Sequence, residues 1–155
     1  SFIDPSRDPL GSGYHLHQSK IAIGSGGLFG TGFTESKQAS LRFLPEHHTD
    51  FIFPVLAEEW GLIGSFVVLA LFLIFIMRGI NTALNAKDRF GFLLAFGLTS
   101  MIFWHMSINI AMVTGLLPVV GVPLPFLSYG GSFLLTTLIS SALIINISMR
   151  KYILG

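Results

Sequence analysis

The stretch RFGFLLAFGLTSMIFWHMSINIAMVTGLLPVVGVPLPFLSYGGSFLLTTLISSALIINISMR, residues 89–150, decides the fold. Between Arg89 and Arg150 it contains no Asp, Glu, Lys or Arg. About 20 apolar residues cross a bilayer core, so a run this long cannot be a single span. Its middle, LPVVGVPLPFLSYGGS, carries Pro118, Pro123 and Pro125 among glycines. Prolines and glycines interrupt a helix, so the chain must turn there. Two membrane helices are predicted, over about 90–116 and 132–149, joined by a Pro/Gly hairpin at 117–131.

Upstream, residues 60–77 also run without a charge, from Trp60 to Met77. Pro54 suits the first turn of a helix, where no backbone N–H is required. A helix over 54–77 would be roughly 36 Å long at 1.5 Å per residue, enough to cross with some tilt. Arg78 closes it, and the connection to the next span carries Lys87, Asp88 and Arg89. Residues 1–53 are polar and Gly-rich, with Asp4-Pro5 and Asp8-Pro9 pairs and no segment long enough to span. Within them a short amphipathic helix is predicted over 14–23, stopped by Gly24.

The composition agrees with a membrane protein: 52% of the 155 residues are hydrophobic and 11% charged, against about 25% charged in soluble domains. The net charge of +1 and the lack of a basic run argue against nucleic acid as a partner. There is no cysteine, which excludes disulfides and thiolate chemistry. The chain opens on Ser1 with no signal-peptide pattern. Three spans rarely enclose a substrate cavity, so it reads as part of a longer polypeptide. Arg78, Lys87, Arg89, Arg150 and Lys151 fall on one side of this topology. The positive-inside rule makes that side, with the carboxy terminus, cytoplasmic and residues 1–53 extracytoplasmic. The fold class is thus all-α and polytopic, with three transmembrane helices and a large extracytoplasmic loop.

Chemistry concentrates in FLPEHHTDFIFPVLAEEW, residues 43–60, where Glu46, His47, His48 and Asp50 abut the first span. Ionisable groups at the mouth of a membrane helix need a partner, a substrate or water. Asp50 by itself reads as a helix N-cap. Glu46, His47 and His48 do not form a spaced metal motif, because neighbouring residues point in different directions; surface hydrogen bonding is the plainer reading. Glu58 and Glu59 fall in the first two turns, where negative charge suits the helix dipole and water is near; the alternative is that Glu58 faces a polar cavity. The glycines of IGSGGLFGTG, residues 23–32, suit a tight turn or a phosphate-binding nest, without the Gly-Lys-Ser/Thr of a P-loop. SYGGS, residues 128–132, either shapes a cavity roof or lets a loop meet a helix closely. His105 and Asn109 share a helix face with Met101 and Met112, as expected for interhelical hydrogen bonding or for lining a lipid path. Thr136, Thr137, Ser140 and Ser141 read as packing and hydrogen-bonding residues.

Three runs, RDPLGSGYHLHQSKIAIGSGGLFGTGF, FLPEHHTDFIFPVLAEEWGLIG and LPVVGVPLPFLSYGGS, occur in order and together resemble the SEDS family of RodA, FtsW and SpoVE. GVPLPFLSYGGS and QSKIAIGSGGL are closer to the RodA branch than to the FtsW branch. The resemblance implies a carboxy-terminal portion of a fold of roughly ten spanning helices, each of about 20 residues. It implies a peptidoglycan glycosyltransferase of cell elongation and rod shape, in the bacterial cytoplasmic membrane. Lipid II would be the substrate and a class B penicillin-binding protein the partner. The family's catalytic carboxylate falls on Asp50, a fitting general base for a sugar hydroxyl. Lys20 and Arg42 are then candidates for gripping a lipid pyrophosphate, with Glu46 and His48 beside the substrate. Arg42 stands where the family often has an acidic residue, which weakens its assignment. The sequence assigns no cofactor and does not settle a metal requirement; a divalent cation such as Mg²⁺, held jointly by Asp50 and the pyrophosphate, is the candidate the chemistry offers. The rival functions are a lipid II flippase, which would lean on His105, Asn109 and Glu58, and a non-catalytic scaffold of the elongation or division complex.

Overall fold

The computed structural model describes residues 12–30, 51–128 and 130–153, and among these the only regular elements are helices. They are α1 (Ser12–Ser25), α2 (Ile52–Leu84), α3 (Arg89–Thr114) and α4 (Gly131–Ile153). The last three are long and apolar enough to cross a membrane. Large side chains such as Phe66, Leu71, Phe90 and Trp104 stand exposed on them. That is costly in water and natural in lipid, whose tails are as apolar as these side chains.

Each boundary has a local cause. α2 runs past Arg78 to Leu84, because a long cationic side chain near a span end can extend its head towards water without ending the helix. It stops where Asn85 Nδ2 turns back to donate to Asn81 O at 2.7 Å. Asp88 is the N-cap of α3, its Oδ2 accepting from Gly91 N at 3.3 Å. Gly115, at φ 85°, ends α3 in the left-handed conformation that glycine adopts without penalty.

The core gathers Phe51, Phe53 and Phe72 of the α2 segment, Met112 and Val113 of α3, and Leu124 of the 117–130 connection. α2 and α3 approach closely where Gly79 faces Thr99: a Cβ on Gly79 would clash with the Thr99 Oγ1 and lie 2.7 Å from its Cγ2. Small residues at such crossings let backbones close up. Gly79→Ala is therefore expected to cost about 1–3 kcal/mol by overpacking. Thr99→Ala in the same molecule should restore much of that loss, since it removes the two clashing atoms. Thermal unfolding of the four proteins of the cycle measures the coupling; purely additive costs would show that the two residues do not share this contact.

Candidate functional site

The entry of α2 is broken. At Gly61 the backbone takes φ 69° and ψ −163°, inside what is otherwise one helix. That region is open essentially to glycine alone. A break deprives the following N–H groups of their helical acceptors, which is intolerable in a span unless protein supplies new ones. Here the Gly-rich turn after α1 supplies them: Leu62 N donates to Gly27 O at 2.8 Å and Ile63 N to Leu28 O at 3.3 Å. Ser65 Oγ donates to Gly61 O at 3.0 Å. The turn can come so near because Gly26 and Gly30, its points of closest approach, carry no side chain. A Cβ on Gly26 would sit 3.0 Å from Ala57 C, and one on Gly30 2.8 Å from Gly61 N. The glycines read as a turn or a phosphate nest thus serve as a backbone plug for a broken helix. Nothing in the pattern of residues 23–32 says which helix they meet; Gly61, placed just inside the apolar run, was the signal for the break.

α1 sits over the carboxy-terminal end of α3. Ser19 Oγ, buried, donates to Val113 O at 2.6 Å, one of the carbonyls a helix end leaves open. One residue on, the exposed Lys20 lays its ammonium against the α3 cap, where a Cβ on Gly115 would lie 2.8 Å from Nζ. A cation is favoured at this negative end of the helix dipole. Val113 belongs to the same core cluster as Phe51, which is 2% exposed. Lys20 and the start of α2 therefore lie at the same end of the bundle, near residues 113–115.

Of the expected site residues, Lys20 is described, and Arg42, Glu46, His47, His48 and Asp50 lie outside the described residues. The N-cap position of α2 falls on Phe51, whose side chain has no oxygen to cap with. Glu58 corrects part of an expectation: it lies in the first two turns of α2 but is 2% exposed, inside the protein and away from water, while Glu59 is half-buried. A buried carboxylate in a span is held by protein groups around it. Glu58 lies three positions before the break at Gly61, so the buried carboxyl group and the irregular backbone are close along the helix. Among the described residues no group of three His, Asp or Glu side chains is arranged to hold a metal ion.

The 117–130 connection is more than a surface hairpin. Leu124 and Pro125 are fully buried, and Phe126 (φ 66°) packs on Phe72 and Phe75 at centroid distances of 6.2 and 5.4 Å. Those phenylalanines lie about 16–21 Å along α2 from the break, at 1.5 Å per residue. Ser128 holds the turn, its Oγ accepting from Leu124 N at 2.6 Å and its N–H donating to Leu124 O at 3.1 Å. Asn109 Nδ2 donates to Val122 O at 2.6 Å, pinning the connection to α3. His105 Nδ1 lies 2.8 Å from Met101 O, so that nitrogen carries the proton, and its ring rests on Phe133 of α4 at 5.2 Å. On α4, Thr136, Thr137, Ser140 and Ser141 all donate to carbonyls four residues back in their own helix.

The FtsW–RodA–SpoVE family model, described as "Cell cycle protein", matches residues 1–153. The chain is similar to the peptidoglycan glycosyltransferase MrdB of Escherichia coli (strain K12), 52% identical over 99% of the chain and 41% of that protein. It is also similar to the probable peptidoglycan glycosyltransferase FtsW of Geobacter sp. (strain M18), 48% identical over 97% of the chain and 41% of that protein. Among solved structures, a chain of a peptidoglycan synthase complex that coordinates polymerization and crosslinking matches with a TM-score of 0.73 and 30% identity. That likeness covers 98% of this chain and 40% of the other. The chain thus spans about two-fifths of the length of the curated relatives it matches.

Proposed function

Because this chain belongs to the FtsW–RodA–SpoVE family of cell cycle proteins, we propose that the protein carrying it polymerises lipid II as a peptidoglycan glycosyltransferase. The carrying observation is the 52% identity over 153 residues to a relative named for that activity. The geometry is compatible with it: a cation, Lys20, and the residue that follows Asp50 are gathered at the same end of the bundle. Asp50 takes the proton of the acceptor sugar hydroxyl as its oxygen attacks the donor's anomeric carbon. The bond from that carbon to the pyrophosphate oxygen breaks, and undecaprenyl pyrophosphate departs. Lys20 and Arg42 would steady its charge, with Glu46 and His48 near the sugars. Mg²⁺, if used, would neutralise the pyrophosphate beside Asp50.

The opposite end of the bundle carries Arg78, Lys87, Arg89, Arg150 and Lys151, so by the positive-inside rule it is the cytoplasmic end. Residues 1–53 then face outward in a bacterial cytoplasmic membrane. Identities of 52% and 48% to MrdB and FtsW leave the branches level. The elongation role therefore rests on the QSKIAIGSGGL and GVPLPFLSYGGS forms. A class B penicillin-binding protein is the partner this reading requires.

Lipid II offered to the full-length protein and that partner in liposomes should yield glycan chains resolvable by gel electrophoresis. Labelled lipid II crossing the bilayer with no polymer would make the protein a flippase. A stable complex with neither product would leave it a scaffold.

A further inference from the structure

At the basic end, a cavity of about 270 Å³ opens between the start of α3 and the last turns of α4. Its polar rim is Lys87, Arg150 and Lys151, with Asn146 and one carboxylate, Asp88. Three cations and one anion thus line the rim, and the anion caps its own helix, accepting from Gly91 N at 3.3 Å. The amino-terminal end of α3 adds the positive pole of a helix dipole. Below the rim the walls become apolar: Phe90, Leu94, Leu143 and Ile147. Phe90 is 71% exposed and Leu143 40% exposed, so the wall continues onto the outer surface of two spanning helices.

We propose that this cavity binds the phosphodiester headgroup of an anionic membrane phospholipid, whose acyl chains run along the exposed face of α3 and α4. Size supports a headgroup over a larger molecule, since sites for whole small ligands start at about 300 Å³. Position supports a lipid over a soluble anion: the cations lie where spanning helices end, and the floor is hydrocarbon. Arg150 and Lys151 also sit in the last turn of α4, where cations offset the negative pole of the helix. The assignment is independent of the glycosyltransferase reading and of which membrane side the basic end faces.

The test uses the full-length protein in mild detergent, titrated with dioleoyl phosphatidylglycerol or dioleoyl phosphatidylcholine and read by native mass spectrometry. Each Lys or Arg near an anionic lipid surface is worth roughly a fivefold affinity factor. The wild type should prefer phosphatidylglycerol by on the order of tenfold or more. The Lys87→Gln/Arg150→Gln/Lys151→Gln variant should bind the two lipids alike. Arg78→Gln, at the same end but outside the cavity, should keep the preference. If the triple variant does not fold, Lys87→Gln alone, in an exposed connection, should show about a fivefold loss. Equal binding of both lipids by the wild type would overturn the proposal. So would an unchanged preference in the triple variant, or an equal loss in Arg78→Gln. Displacement of phosphatidylglycerol by millimolar inorganic phosphate would also overturn it, assigning the cavity to soluble anions.

Discussion

Replacing Gly61 by alanine is expected to leave little folded protein. Two costs combine. The φ of 69° with ψ of −163° is strained for every L side chain, at about 1–3 kcal/mol. The new Cβ would also clash with Gly30 N and stand 2.8 Å from Phe29 C, both backbone atoms that no rotamer change can move. Relieving that contact means withdrawing the turn, which strips Leu62 N and Ile63 N of their acceptors. An unsatisfied amide in a span costs several kcal/mol. The readout is the monodisperse yield and melting temperature in detergent. Gly97→Ala supplies the control, because a Cβ there meets nothing within 4 Å and alanine is the better helix former by roughly 0.5–1 kcal/mol. If Gly61→Ala melts with the wild type, the break is not held by the turn.

Asp50→Asn is expected to reduce glycan polymerisation by about 10²–10⁴-fold, the usual contribution of a general base. It should leave yield and partner binding near those of the wild type. Asparagine keeps the size of aspartate and one acceptor oxygen while removing its ability to take a proton at neutral pH. The substitution therefore separates chemistry from structure. Were the residue only a helix cap, the change would be nearly silent in activity, since aspartate and asparagine cap about equally well. Lipid II polymerisation per mole of folded protein decides it, and near-wild-type polymer from Asp50→Asn removes the carboxylate from the reaction.

Much of the architecture was written in the order of residues. A charge-free run of the length of 90–149 admits only spanning helices, and the prolines at 118, 123 and 125 require the turn that occurs there. The family likewise showed itself in three long motifs, which the match over residues 1–153 bears out. Periodicity said less about the ends of helices. Arg78 looked like a stop, yet the helix continues because a side chain of that length reaches water from within it. Glu58 looked like a residue of the first two turns with water near, yet burial depends on what packs over the helix, and that includes Gly26, more than thirty residues earlier.

The sequence alone determined that this is an all-helical membrane protein, because hydrocarbon admits only segments that satisfy their own backbone. It also determined the family, and with it the residue to test at position 50. Only the tertiary structure decided that the glycines of residues 26–30 close a broken helix, that Ser19 and Lys20 ride on the end of α3, and that Phe126 reaches into the bundle. Each of these joins atoms far apart in the chain, and local residue patterns carry no information about which distant backbone group will accept a hydrogen bond.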